Sequence, residues 1–409
     1  MPRFPAITPA AAVAFVLLIL TGIALRVCSS EPFKGVGFDE GYYARYVDQI
    51  SRQGWWNYTA LVQTYLDEQK NSANGLPTPT RVTIVLGASA WHLVFGASPL
   101  GSVRAVSCAS SILTLLAATA FVWRIRSAGF ALAFLALFTF SPTQLYMAHR
   151  ALADSFMCLA VLLALWSLWE IFAKSPCVWT WRAVFGVSLV LLVLTKENAV
   201  FPFLGIVALV VAARCFKFGA VDLPLVLMTT LAPLLGVLVI CLCAGGWSTL
   251  VDVYSLDVAK TYGTPYALAA EDGPWFRYIV DHLLANPVVV LLAIGGALYL
   301  TADEKPGLYL LIFVVVTYLP MCNVPHGMNL RYATIWDVPL TYLALLPIFH
   351  WAQWPGHEFL RRLVLIVLVS AVALSEIQNY VAIFVDNAIY DPVTSYLMQA
   401  LKMISARPQ

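Results

Sequence analysis

Eleven apolar runs set the terms on which this chain can fold: Pro9–Val27, Ser102–Trp123, Phe130–Met147, Leu152–Phe172, Ala183–Leu194, Val200–Ala213, Leu223–Cys243, Pro287–Leu300, Leu308–Cys322, Tyr332–Phe349 and Leu363–Phe384. A helix needs roughly 20 apolar residues to cross the hydrocarbon core. Backbone groups in lipid must be paired within their own segment, which leaves the helix as the form for runs of this kind. Only 11% of residues are charged and 61% are hydrophobic, whereas a soluble domain carries about 25% charged residues. The expectation is an all-α polytopic membrane protein with about eleven transmembrane helices and further helices in its extracytoplasmic loops. Several runs fall short of a lone span, so neighbours shelter them or they continue past their apparent ends.

Lysine and arginine orient these runs. With Arg3 on the cytoplasmic side, Arg124/Arg126, Lys174/Arg182, Arg214/Lys217, Lys305 and Arg361/Arg362 all fall on that side. Ser29–Gly101, His149–Ala151, Thr195–Asn198, Ala244–Asn286 and Asn323–Arg331 then share the opposite face. The pattern holds only if Arg81–Gly96 does not cross, so this stretch is predicted to be an interfacial helix, helped by Trp91 and His92. The first run is longer than a signal-peptide core and is followed by ten more, which makes it a retained span. A formal charge of +2, with its basic residues scattered, gives no footprint for nucleic acid. The eight cysteines lie in or beside apolar runs without metal-ligand spacing. They read as small hydrophobes, with Cys28 and Cys322 on one face as the single pairing to check.

Residues 1–385 therefore read as one transmembrane domain with two large external loops, 29–101 and 244–286, and a short external tail, 386–409. The first loop opens with Gly35-Val36-Gly37-Phe38-Asp39-Glu40-Gly41-Tyr42-Tyr43, followed by a predicted amphipathic helix from Gly41 to Arg52 and by Trp55-Trp56 at headgroup level. Asp39 and Glu40 sit where a membrane segment has just ended, and acids also favour a first helical turn. Arg150 and Asp154 are four apart, a spacing that lets them pair on one helical face. Lys196 and Arg331 enter spans from the same side, and Arg104 lies near the external end of the second run. Singly, each cation can snorkel. Together, Arg104, Arg150, Lys196 and Arg331 with Asp39, Glu40 and Asp154 converge on one membrane face from distant segments. Cations there suit a phosphate whose lipid tail stays in the bilayer. A neighbouring carboxylate can take the proton of an acceptor hydroxyl. This chemistry is transfer from a lipid phosphate to an alcohol. A transporter or flippase of lipid-linked glycans is the alternative, although the chain lacks the repeated halves common in transporters.

Phe38-Asp39-Glu40, Leu93-Val94-Phe95-Gly96-Ala97-Ser98 with Arg104, Ser141-Pro142 leading to His149-Arg150 and Asp154, Leu194-Thr195-Lys196-Glu197, and Leu330-Arg331-Tyr332 come in an order that resembles GT-C glycosyltransferases. The set is most similar to the protein O-mannosyltransferase and aminoarabinose-transferase (ArnT-like) group, over residues 1–345. The resemblance implies an inverting, membrane-embedded glycosyltransferase that takes a monosaccharide from a polyprenyl-phosphate-linked donor to a hydroxyl acceptor on a protein, glycolipid or cell-wall polymer. It implies a site on the periplasmic or exterior side of a bacterial inner membrane, with the N-terminus cytoplasmic. By the same resemblance Asp39 is the candidate base with Glu40 beside it, and Asp154 positions acceptor or cation. Arg104, Arg150, Lys196 and Arg331 hold the donor phosphate, while His149, Tyr262 and Tyr332 touch acceptor or sugar. Some relatives use a divalent cation. Asp39, Glu40, Asp154 and His326 carry suitable donor atoms but no metal-binding spacing, so no metal is assigned.

Overall fold

The protein is described by a computed structural model covering residues 8–28, 36–261, 263–264, 267, 271–324 and 327–387. Among the described residues the regular structure is entirely helical: α1 (Pro9–Val27), α2 (Phe38–Gln53), α3 (Tyr58–Asn71), α4 (Val82–Phe95), α5 (Pro99–Ile125), α6 (Ala128–Thr139), α7 (Pro142–Ala148), α8 (Asp154–Phe172), α9 (Val178–Thr195), α10 (Val200–Cys215), α11 (Leu223–Ala244), α12 (Trp247–Thr261), α13 (Arg277–Ala285), α14 (Pro287–Leu298), α15 (Lys305–Met321), α16 (Asp337–Trp351) and α17 (Glu358–Tyr380). Short 3-10 turns cover Trp55–Asn57, Glu197–Ala199 and Leu330–Trp336. Every apolar run read from the sequence is occupied by a helix, or in one case by a bent pair. Among the described residues seven helices are long and apolar enough to cross a bilayer on their own, and the bent pair α6–α7, counted as one span, brings the number to eight. The chain is a multi-pass membrane protein.

Two hydrophobic cores divide the molecule. The larger gathers α5, α6, α8, α9, α15 and α16 around Phe134, Phe138, Leu165, Phe185 and Tyr309. The smaller packs α2, α3, α4 and α12 over one end of the spans, around Tyr43, Tyr46, Leu61, Val85 and Val253. Polar contacts separate the two ends as the basic loops require. At one end Arg126 pairs with Glu304, and Lys305 Nζ donates to the Lys217 carbonyl at 3.0 Å. At the other, Arg331 reaches Asp39 and Lys196 reaches Asp154. Helix α4, at 14 residues, is about 21 Å long, short of a hydrocarbon core of about 30 Å.

Three local features place the polar residues. Helix α2 starts at Phe38, three residues before the predicted Gly41, because the Glu40 side chain reaches back to cap the first turn: the Gly37 N–H donates to Glu40 Oε2 at 2.8 Å. Pro142 disfavours helix at the residue before it, so α6 and α7 meet at a 60° bend. The carbonyls orphaned at that bend are taken up by Arg26, whose guanidinium donates to Phe138 O at 3.3 Å, Thr139 O at 3.5 Å and Ser111 Oγ at 3.0 Å. A second break, at His149–Ala153, corrects the expectation that Arg150 and Asp154 pair. The helix does not continue between them, so the one-face geometry is lost and each finds another partner. The eight cysteines, Cys28 and Cys322 among them, are free thiols.

Helices α14 and α16 approach so closely at Gly296 that an added Cβ would lie 2.0 Å from the Leu343 carbonyl oxygen. No rotamer relieves a clash with backbone. Gly296→Ala is expected to cost at least about 1–3 kcal/mol, seen as a lower Tm of the detergent-solubilised protein; an unchanged Tm would contradict this packing.

Candidate functional site

The site is built where α2 meets the broken ends of the spans. Asp39 and Glu40 are neighbours in the first turn of α2, yet their side chains do different things. Glu40 is buried, and its Oε1 accepts from Arg150 Nε at 2.6 Å and from the Ala151 N–H at 2.9 Å. With Gly37 on Oε2, both carboxylate oxygens are engaged. Asp39 is 20% exposed and accepts from Arg331 Nη1 at 3.0 Å. Glu40 therefore anchors α2 to the α7–α8 junction and leaves Asp39 at the mouth.

From Asp39 the network continues without interruption. Arg331 Nη2 donates to the Tyr332 hydroxyl at 3.2 Å. Lys196 Nζ lies 4.0 Å from the Tyr332 ring centroid, within cation–π range. Lys196 also donates to Asp154 Oδ1 at 2.8 Å, both residues being buried. Asp154 opens α8, and Lys196 stands between α9 and the turn Glu197–Ala199. Alternating signs along this chain let charges persist where each would be costly alone.

Four participants come from residues to which the sequence reading gave no role. Arg81, just before α4, donates through Nε to Glu197 Oε2 at 3.0 Å and contacts the Tyr43 hydroxyl. In the sequence Arg81 is a lone cation opening an apolar run, and its one visible signal is that it shares a face with Asp39. Asp257 approaches from α12 in the second loop. Burial and the nearby Glu197, only partly offset by Arg81, push its carboxyl up to about 7.

Two other groups at the mouth are shifted. Burial alone would raise the Asp39 carboxyl, but Arg331, Arg81 and Lys196 together hold it below its ordinary value. Burial draws the Lys196 ammonium down to about 8, with Asp154 opposing and Arg331 adding to the fall.

The structure does not bring all the expected cations to this network. Arg104, with Arg150, His149, Arg26, Glu40 and Trp91, lines a separate cavity of about 450 Å3 against α5. His149 is held at both ring nitrogens, by the Leu25 carbonyl at 2.9 Å and the Tyr380 hydroxyl at 3.1 Å. Tyr332 is inside the network. Tyr262 and His326 lie outside the described residues. Among the described residues no group of three His, Cys, Asp or Glu side chains is placed to hold a metal ion.

No family model matches the chain, and no curated protein matches it. Solved structures do. An oligosaccharyltransferase from Archaeoglobus fulgidus in the apo form superposes with a TM-score of 0.68 at 14% identity, over 91% of this chain and 55% of that one. The archaeal oligosaccharyltransferase AglB from the same organism, in complex with an inhibitory peptide and a dolichol-phosphate, gives 0.62 at 12% identity, over 94% and 56%. ArnT from Cupriavidus metallidurans bound to undecaprenyl phosphate gives 0.57 at 14% identity, over 91% and 76%. The chain spans about half the length of the oligosaccharyltransferases it matches. At these identities the likeness is one of fold: the protein shares the helical membrane architecture of AglB and ArnT.

Removing the Glu40 carboxylate would leave Arg150 buried beside its Tyr146 hydroxyl contact but without its counter-charge. Glu40→Ala is expected to destabilise by about 3–5 kcal/mol, measured as a fall in Tm and in the monodisperse fraction on size exclusion. Wild-type stability would show that the pair does not anchor α2.

Proposed function

We propose that this protein is an integral-membrane glycosyltransferase that moves a monosaccharide from a polyprenyl-phosphate-linked donor to a hydroxyl acceptor at the extracytoplasmic mouth, with inversion at the sugar carbon. The observation that carries the reading is the continuous network Asp39–Arg331–Tyr332–Lys196–Asp154. It is drawn from widely separated segments and stands at the end of the molecule opposite the basic loops. It sits on a fold shared with proteins whose structures hold dolichol-phosphate or undecaprenyl phosphate.

In the resting site Asp39 is tied to Arg331 and Asp154 to Lys196. A donor phosphate competes for both cations, so its arrival loosens their hold on the two carboxylates. Asp39 becomes basic only when the donor is in place, and it then accepts the proton of the acceptor hydroxyl. The acceptor oxygen forms its bond to the anomeric carbon as the bond from that carbon to the phosphate oxygen breaks. The electron pair and negative charge go to the phosphate, where Lys196 and Arg331 neutralise them. Arg81, held by Glu197 and Tyr43, adds to the positive field. Asp154 aligns Lys196, while Arg150 acts through Glu40 as a positioning residue. Asp39 pairs with Arg331 and Asp154 with Lys196 in the resting site, and none of these steps is routed through a divalent cation.

Asp39→Asn is expected to lower sugar transfer in proteoliposomes by at least about 10²-fold, with folding retained. Full activity would remove Asp39 as base, and movement of labelled donor lipid across the bilayer without its consumption would favour a flippase. The free-enzyme kcat/KM for donor should fall about tenfold per pH unit above about 8 as Lys196 loses its proton. Lys196→Arg should flatten that limb, since guanidinium stays charged. An identical alkaline limb in the variant would count against the phosphate role.

A further inference from the structure

Away from the reacting network, a second polar site remains without a use. Ser141 at the bend before α7, Asn286 just before α14, Asp337 and Thr341 in the first turns of α16, and Glu376 near the end of α17 line one small cavity of about 10 Å3. A space of that size holds a single water-sized body. Asp337, Glu376 and Asn286 are each more than nine-tenths buried.

One of the two acids has a local explanation. Asp337 Oδ2 accepts from Thr143 Oγ1 at 2.6 Å and from Gln144 Nε2 at 2.8 Å, and the residue stands at the N-terminus of α16, where a negative charge is favoured. Glu376 has no such account. Its Oε1 and the Oδ1 of Asn286 are buried acceptors with no donor. Among the described residues neither Asp337 nor Glu376 forms an ion pair with a Lys, Arg or His side chain. Two carboxylates facing one cavity without a counter-cation repel each other, and no donor to Glu376 Oε1 offsets its desolvation.

We propose that this cavity is a binding site for one hard divalent cation of the calcium class, bridging Asp337 and Glu376, with Asn286 Oδ1 and the Ser141 hydroxyl completing its oxygen shell. The donors are all oxygen, which suits a hard cation and not a thiolate- or imidazole-seeking one. Two carboxylates balance a charge of two. The cavity has no room for the retained waters that magnesium prefers, whereas calcium accepts a shell made wholly of protein oxygens. The ion would join α7, α14, α16 and α17 at the membrane-ward side of the turn Leu330–Trp336, which carries Arg331 and Tyr332. The site does not depend on the reaction proposed above.

The test uses the full chain in nanodiscs, stripped with EDTA, with thermal unfolding followed in CaCl2, MgCl2 or NaCl at matched ionic strength. Ca2+ should raise Tm by at least roughly 2 °C, with little response to Mg2+ or Na+. Glu376→Gln should lose the Ca2+ response while its Tm in EDTA stays at or above that of the wild type, because a neutral amide ends the repulsion. Should that variant not fold, Asn286→Ala keeps both carboxylates and should raise the Ca2+ concentration for half-maximal response. A wild type unresponsive to all three salts would overturn the site and leave a protonated acid pair around a water. A Ca2+ response unchanged in the variants, or a response to Na+ alone, would overturn it equally.

Discussion

The buried ion pair between Glu40 and Arg150 is the contact on which the rest of the site depends. It joins the first turn of α2 to the junction of α7 and α8, segments 110 residues apart. Such a pair adds little net stability over a hydrophobic isostere, because two desolvated charges must be offset by their attraction. Its worth is geometric. With Glu40 saturated by Arg150, Ala151 and Gly37, α2 can enter in only one rotation, and the adjacent Asp39 is directed to Arg331.

The same logic of breaks and clamps runs through the upper half of the molecule. The four charged residues of the central network stand where a helix begins or ends or in a short turn: Asp39 in a first turn, Asp154 at the start of α8, Lys196 after α9, Arg331 in a 3-10 turn. Interrupted helices free backbone groups that lipid cannot satisfy. Arg26 meets this need at the α6–α7 bend, where a guanidinium buried beneath three helices takes the place of water. The interior is thus rigid where it is apolar and polar where it is interrupted, and the interruptions all serve one end.

Much of this was legible in the residues. The apolar runs and the sidedness of Lys and Arg mark the helices and separate the two ends, and Asp39, Asp154, Lys196 and Arg331 stand out as charges at the borders of spans. The structure makes Asp39 a neighbour of Arg331 and Asp154 a neighbour of Lys196, pairings that the residues alone do not give. Other pairings could not be read. Arg150 and Asp154 look like an i,i+4 pair, but a break at His149–Ala153 sends them to Glu40 and Lys196. Arg104 looks like one more cation of the mouth, but its position on α5 directs it to the neighbouring cavity. Arg81 looks like a helix boundary and is a member of the network.

The sequence by itself determined the helical class, the membrane environment, the division into two faces and the set of charges available on one of them. These follow from local rules: hydropathy over a window, turn-breaking by proline, and the cost of charge in lipid, each evaluated along the chain. Which cation meets which carboxylate was decided only by the tertiary structure. Ion pairing depends on distances of a few ångströms between segments brought together by packing, and one bend or one residue of helix phase changes every partner. Asp39 at the mouth and Glu40 in the core are adjacent in the sequence, yet the 100° step of the α2 helix and the position of Arg150 give them opposite surroundings.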